Sequence, residues 1–125
     1  MIRRLLCAFA FLAAAVVANA VAANAEPLKL AHNYDAAGTN PDGSKYTGTV
    51  TIEIISDTTF SIQWDIQGEK YKGFGMRMNN SLAGTYTING EPGLIIYQVD
   101  DKGVMQGLWA VRGENGNGSE VLTPR

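Results

Sequence analysis

From Tyr46 to Ile54 the chain alternates: Tyr46, Gly48, Val50, Ile52 and Ile54 fall on one face, and Thr47, Thr49, Thr51 and Glu53 on the other. Phe60, Ile62, Trp64 and Ile66 repeat the pattern, interleaved by Ser61, Gln63 and Asp65. A period of two marks strands with one side buried. The same reading predicts strands near 70–78, 82–88, 93–99, 104–112 and 119–123, and an early one near 28–34. Turn-forming residues separate them: Ser56-Asp57-Thr58, Gln67-Gly68-Glu69, Asn79-Asn80, Asn89-Gly90-Glu91-Pro92 and Asp100-Asp101-Lys102-Gly103. No helical period follows the first 25 residues. The pattern predicts an all-β fold, an antiparallel meander of seven or eight short strands.

A second regularity narrows the architecture. Tyr46-x-Gly48, Tyr71-x-Gly73, Leu82-x-Gly84 and Met105-x-Gly107 each place a large residue and then a glycine on one strand face. Glycine weakens a strand unless the backbone must bend sharply or another group packs over it. Repeated on the inward face, it predicts strands coiling tightly around a narrow core. A small up-and-down barrel meets this requirement and removes sheet edges; a two-sheet sandwich is the alternative. The inward set is then Tyr46, Val50, Ile52, Phe60, Ile62, Trp64, Tyr71, Leu82, Tyr86, Met105 and Trp109. Eight strands enclose a space that side chains just fill or that holds one small ligand. So many aromatics predict a mostly filled interior, with Trp64 and Trp109 buried, no pocket of drug-like size and no internal ligand.

The first 25 residues are of another kind. Met1-Ile2-Arg3-Arg4 is basic, Leu5 to Val21 is apolar apart from Asn19, and Ala23-Asn24-Ala25 supplies a small-x-small cleavage site before Glu26-Pro27. This pattern predicts a bacterial Sec-type signal peptide over 1–25 and a single domain over 26–125, periplasmic or secreted, without a membrane span once cleaved. Losing Arg3 and Arg4 leaves 8 of the 10 basic residues against 12 acidic ones, a balance that argues against nucleic acid. Cys7, the one cysteine, leaves with the leader, so the domain holds together without a disulfide.

Candidate chemistry is sparse. The stretch AGTNPDGSKYTGTVTI (37–52) invites a calcium-loop reading through Asn40, Asp42 and Gly43, but position twelve of such a loop falls on Thr49 and its flanks read as strand. Pro41-Asp42-Gly43 reads instead as a tight turn. His32 is the single histidine, which with no cysteine in the domain argues against zinc. It has no G-x-S-x-G serine elbow to assist. Asp65 and Glu69 lie close in sequence, as a glycosidase pair would, but Asp65 alternates away from Trp64 toward solvent. No catalytic residue, cofactor or metal ligand is predicted. Trp64, Trp109 and Tyr86 are the candidate ligand-binding residues, since aromatics of this kind either fill a barrel or stack against a small molecule.

The motifs GTNPDGSKYTGTVTI, FSIQW, YKGFG, GLIIY, DKGVMQGLW and the terminal SEVLTP resemble a family of small secreted proteobacterial β-meander proteins, some labelled fibronectin-binding. The resemblance runs from about Tyr34 to Pro124 and rests on turn glycines and strand aromatics. It implies a structural framework and no catalytic residues. The expected function is therefore non-enzymatic: an exported barrel binding a macromolecule or envelope component through its surface. The alternative is a carrier of a small apolar ligand in a lipocalin- or avidin-like barrel. A surface binder predicts an exposed patch; a carrier predicts a cavity lined by aromatics.

Overall fold

The structure, a computed structural model, describes residues 28–125; the expected leader and its cleavage site lie outside the described residues. Eight strands follow one another: β1 (Asn33–Thr39), β2 (Lys45–Ile54), β3 (Thr59–Ile66), β4 (Glu69–Met78), β5 (Ser81–Ile88), β6 (Glu91–Val99), β7 (Met105–Val111) and β8 (Gly118–Pro124). Each pairs antiparallel with the next, and β8 returns to β1, closing the barrel. This excludes the sandwich. Closure leaves no edge strand, and short hairpins suffice because, apart from the β8–β1 closure, every neighbour in space is a neighbour in sequence.

The hairpins form where the chain tolerates a left-handed backbone. Gln67-Gly68 and Asn89-Gly90 have positive φ at both positions (53° and 84°, 51° and 80°), the signature of turns whose twist matches the flanking strands. At the β6–β7 turn, Asp100 Oδ1 accepts the amides of Lys102 (2.9 Å) and Val104 (3.0 Å). The Asn40–Gly43 stretch is likewise a turn. The Gly43 amide donates to Asn40 O at 2.8 Å, and Asp42 Oδ1 accepts the Ser44 amide at 2.9 Å and its hydroxyl at 2.6 Å.

The first strand differs from expectation. It spans Asn33–Thr39 rather than 28–34, with Tyr34, Ala36 and Gly38 facing in. Small residues suffice there because Gly38 stands opposite Tyr46, whose ring occupies the space a side chain would take. The same relation recurs around the barrel: Tyr86 across from Gly93, Tyr97 from Gly107, and Trp109 from Gly118. Of the four glycines that follow a large residue in the sequence pattern, Gly107 thus accommodates an aromatic directly opposite, whereas Gly48, Gly73 and Gly84 lie against the backbone carbonyls of Asp65, Thr85 and Phe74. Cross-strand pairs of this kind fix register.

The two ends of the barrel are unlike. At the end where β1 begins and β8 finishes, residues 28–32 run across the opening, with Leu28, Leu30 and Ala31 packed on the core. The Leu28 amide donates to Asn80 Oδ1 (3.1 Å), Arg77 Nη2 donates to Leu28 O, and the Ala31 amide donates to Tyr34 Oη (2.9 Å). His32 belongs to this lid, its Nδ1 2.9 Å from Ile52 O. Beneath it Tyr34, Ile52, Phe60, Leu82, Met105 and Leu122 are fully buried. Ile54, which the alternation puts on the same face as Ile52, lies at this rim and is exposed. The other end, bounded by the β1–β2, β3–β4, β5–β6 and β7–β8 turns, stays open.

Candidate functional site: an aromatic cavity with a buried carboxylate

The open end holds a cavity of about 190 Å³ whose wall includes Tyr46, Trp64, Tyr71, Tyr86, Trp109 and Glu120. Each comes from a different strand, β2, β3, β4, β5, β7 and β8 in turn, and sits toward the end of its strand nearest the open mouth. The alternation that buries Val50 and Ile62 deeper down therefore also aims these side chains inward.

All three candidate ligand-binding residues are there. Trp64 and Tyr86 pack with ring centroids 5.4 Å apart at 58°; Trp109 meets Tyr46 edge-on at 6.4 Å and 64°. Trp64 is buried as expected, whereas Trp109 is only partly so because it stands at the mouth. The interior is filled in its closed half and hollow in its open half, which modifies the expectation of a filled core.

The residue that sequence reasoning missed is Glu120, a carboxylate only 4% exposed. Tyr97 Oη donates to its Oε2 at 2.5 Å, Trp64 Nε1 donates to the same oxygen at 3.2 Å, and Tyr46 Oη donates to Oε1 at 2.9 Å. Trp109 Nε1 in turn donates to Tyr46 Oη at 3.0 Å, and Trp64 Nε1 also reaches Tyr97 Oη at 3.2 Å. Two tyrosines and two tryptophans are thus locked in position around one acid. Its inward parity, Gly118-x-Glu120-x-Leu122, was obscured because Val121 beside it is also apolar yet faces out.

Burial drives the electrostatics. It raises the Glu120 pKa, against the lowering effect of hydrogen bonds from Tyr97, Tyr46 and Trp64. Burial and then the Glu120 charge raise Tyr97 and Tyr46. Tyr86 is pushed up to about 12 by burial, then Glu120, then Glu114. These phenols stay protonated at any ordinary pH and serve as fixed donors or apolar walls.

The other sequence candidates lie elsewhere. Asp65 faces outward and pairs with Lys70 at 2.6 Å, while Glu69 accepts from Tyr71 Oη at 3.3 Å, so the two carboxylates are not brought together. Among the described residues, no cluster of three His, Cys, Asp or Glu has the arrangement of a metal site.

No family model matches the chain, and no curated protein does. Among solved structures it is similar to a de novo designed fluorescence-activating β-barrel, at 16% identity with a TM-score of 0.60, over 77% of this chain and 94% of that one. It is also similar to a redesigned β-barrel, at 15% identity with a TM-score of 0.61, over 77% of this chain and 91% of that one. At such identities the likeness is one of fold, that of a small β-barrel.

Proposed function

We propose that this is an exported, non-enzymatic binding protein that takes one small, mostly apolar molecule into the open end of its barrel. The carrying observation is the cavity of about 190 Å³ walled by Tyr46, Trp64, Tyr71, Tyr86 and Trp109. A cavity of about 150 Å³ can hold a benzene ring, so the space suits a single ring with a short substituent. The hydrogen-bonded network already fixes Tyr46, Trp64 and Trp109, which reduces the ordering cost that a ligand would otherwise meet on binding. Export is supported by the basic, apolar and small-x-small series of residues 1–25. A binding role fits because Glu120 is the one carboxylate among the cavity-lining residues, with no second acid or base paired to it for proton transfer. Titration with a single-ring aromatic tests the reading: Trp64 and Trp109 emission should shift saturably. Unchanged emission across a panel of such compounds would contradict it.

A second reading, binding through the outer surface, has its own observation. Met76, Ala83, Ile96 and Leu108 are successive register partners across β4 to β7, and Phe74 and Leu94 flank them. Phe74, Met76, Leu94, Ile96 and Leu108 are each about half exposed or more. The outer face of β1 to β3 instead carries Asp35, Lys45, Glu53, Gln63 and Asp65. A one-sided apolar band suits a protein partner better than a lipid bilayer, which would also have to accept those charges. A partner recovered with wild type and lost with a folded Ile96→Glu variant would support this reading; equal recovery would remove it.

A further inference from the structure

We propose that the ligand of the open cavity is a cation, a small ring bearing a protonated amine, with Glu120 as its counter-ion. This rests on the reading of the cavity as the binding site and adds the ligand's charge.

The hydrogen-bond polarity around Glu120 is one-directional. Tyr97, Tyr46 and Trp64 all direct donors at the carboxylate. An ionised carboxylate accepts at about four positions, whereas a protonated one needs an acceptor for its own proton. The two tyrosines receive indole N–H groups from Trp64 and Trp109, which orients their own hydroxyl protons toward the acid. The site is therefore built for the negative form. Yet a carboxylate buried this deeply is costly without a positive partner, and among the described residues none of the ion pairs includes Glu120. Lys70 and Arg112, near the mouth in sequence, are paired with Asp65 and Glu91.

Three donors leave one acceptor position on Oε1, and Glu120 forms part of the cavity wall. An ammonium group seated there would supply the missing charge and a charge-assisted hydrogen bond. The surrounding rings favour the same occupant. Trp64, Tyr86, Tyr71 and Trp109 present aromatic faces or edges to the cavity, and an enclosed cation gains from aromatic faces. Glu69 and Glu114 add negative potential around the mouth: each acts on a cavity tyrosine, Glu69 on Tyr71 and Glu114 on Tyr86. An anion would meet the Glu120 carboxylate, and no Lys or Arg lines the cavity.

The test compares three probes of one shape: 2-phenylethylamine, 2-phenylethanol and phenylacetate. Binding is followed at neutral pH through the indole N–H resonances of Trp64 and Trp109. The amine should bind at least about tenfold more tightly than the alcohol, a factor equal to about 1.4 kcal/mol, and phenylacetate should bind most weakly. Glu120→Gln should bring amine and alcohol to within about threefold. Equal affinity of amine and alcohol for wild type, or tighter binding of phenylacetate, would overturn the assignment of charge while leaving the cavity reading intact. A preference for the amine that survives Glu120→Gln would also overturn it. Should that variant fail to fold, the wild-type comparison alone decides. If no probe moves either indole resonance, the cavity reading itself fails.

Discussion

The ring of Tyr97 lies over the backbone of Gly107, its register partner on the next strand, where a Cβ atom would come within 2.4 Å of the ring. Tyr97 is fully buried, and its hydroxyl continues to Glu120. One glycine thus sets the position of the phenol that holds the acid, linking the packing of the barrel to its site.

Gly107→Val should destabilise the fold severely. Overpacking typically costs about 1–3 kcal/mol, and here the displaced group is a fully buried ring rather than a flexible side chain. For a domain of this size each kcal/mol corresponds to roughly 4–8 °C in melting temperature. Thermal unfolding checks this; a variant melting within a degree of wild type would show that Tyr97 can move aside freely.

Tyr97→Phe should cost more stability than Tyr46→Phe. Both remove a donor to Glu120, but Tyr97 is fully buried while Tyr46 is only half-buried on the cavity wall, where water can replace its hydroxyl. A hydrogen bond to a charged group is worth about 1.5–3 kcal/mol, and the upper part of that range is expected for Tyr97. Urea unfolding of the two variants gives the order; the reverse order would mean that the deep end of the network is not its tighter part.

Stability should fall with rising pH relative to Glu120→Gln. The folded-state pKa of Glu120 lies above the ordinary 4.5, so between the unfolded and folded values the native state binds more protons than the unfolded one. The contribution is fully present below the unfolded value and is lost as pH rises through the folded value. Tyr46, Tyr97 and Trp64, which contact the acid, do not titrate in that window. The difference in unfolding free energy between wild type and Glu120→Gln should therefore shift against wild type from about pH 4.5 upward. A difference that is flat with pH, or of opposite slope, would contradict the direction of this shift.

Most of the barrel was legible because its strands alternate strictly. Tyr46 to Ile52 and Phe60 to Ile66 turn every second residue inward, and glycines at Gly68, Gly90 and Gly103 end strands where a positive φ is needed. Strand β1 was not legible, since Ala36 and Gly38 are too small to register as an inward stripe, and the ring that replaces them belongs to Tyr46. The aromatic half of the site, Trp64, Tyr86 and Trp109, followed from the same alternation. Its polar half did not: Glu120 reads as a surface acid until the β7–β8 register sets Trp109 against Gly118 and turns Glu120 inward. The hollow at the open end was hidden too, because face parity gives direction but not how far rings converge.

Native mass spectrometry of the protein purified from its own host without denaturation bears most directly on the cavity as a ligand site. A stoichiometric adduct is expected, of a mass that fits one small ring compound, released by organic solvent and lost when Trp109→Ala opens the cavity wall. The bare polypeptide mass in every preparation, with an adduct neither present nor restored by single-ring amines, would contradict it.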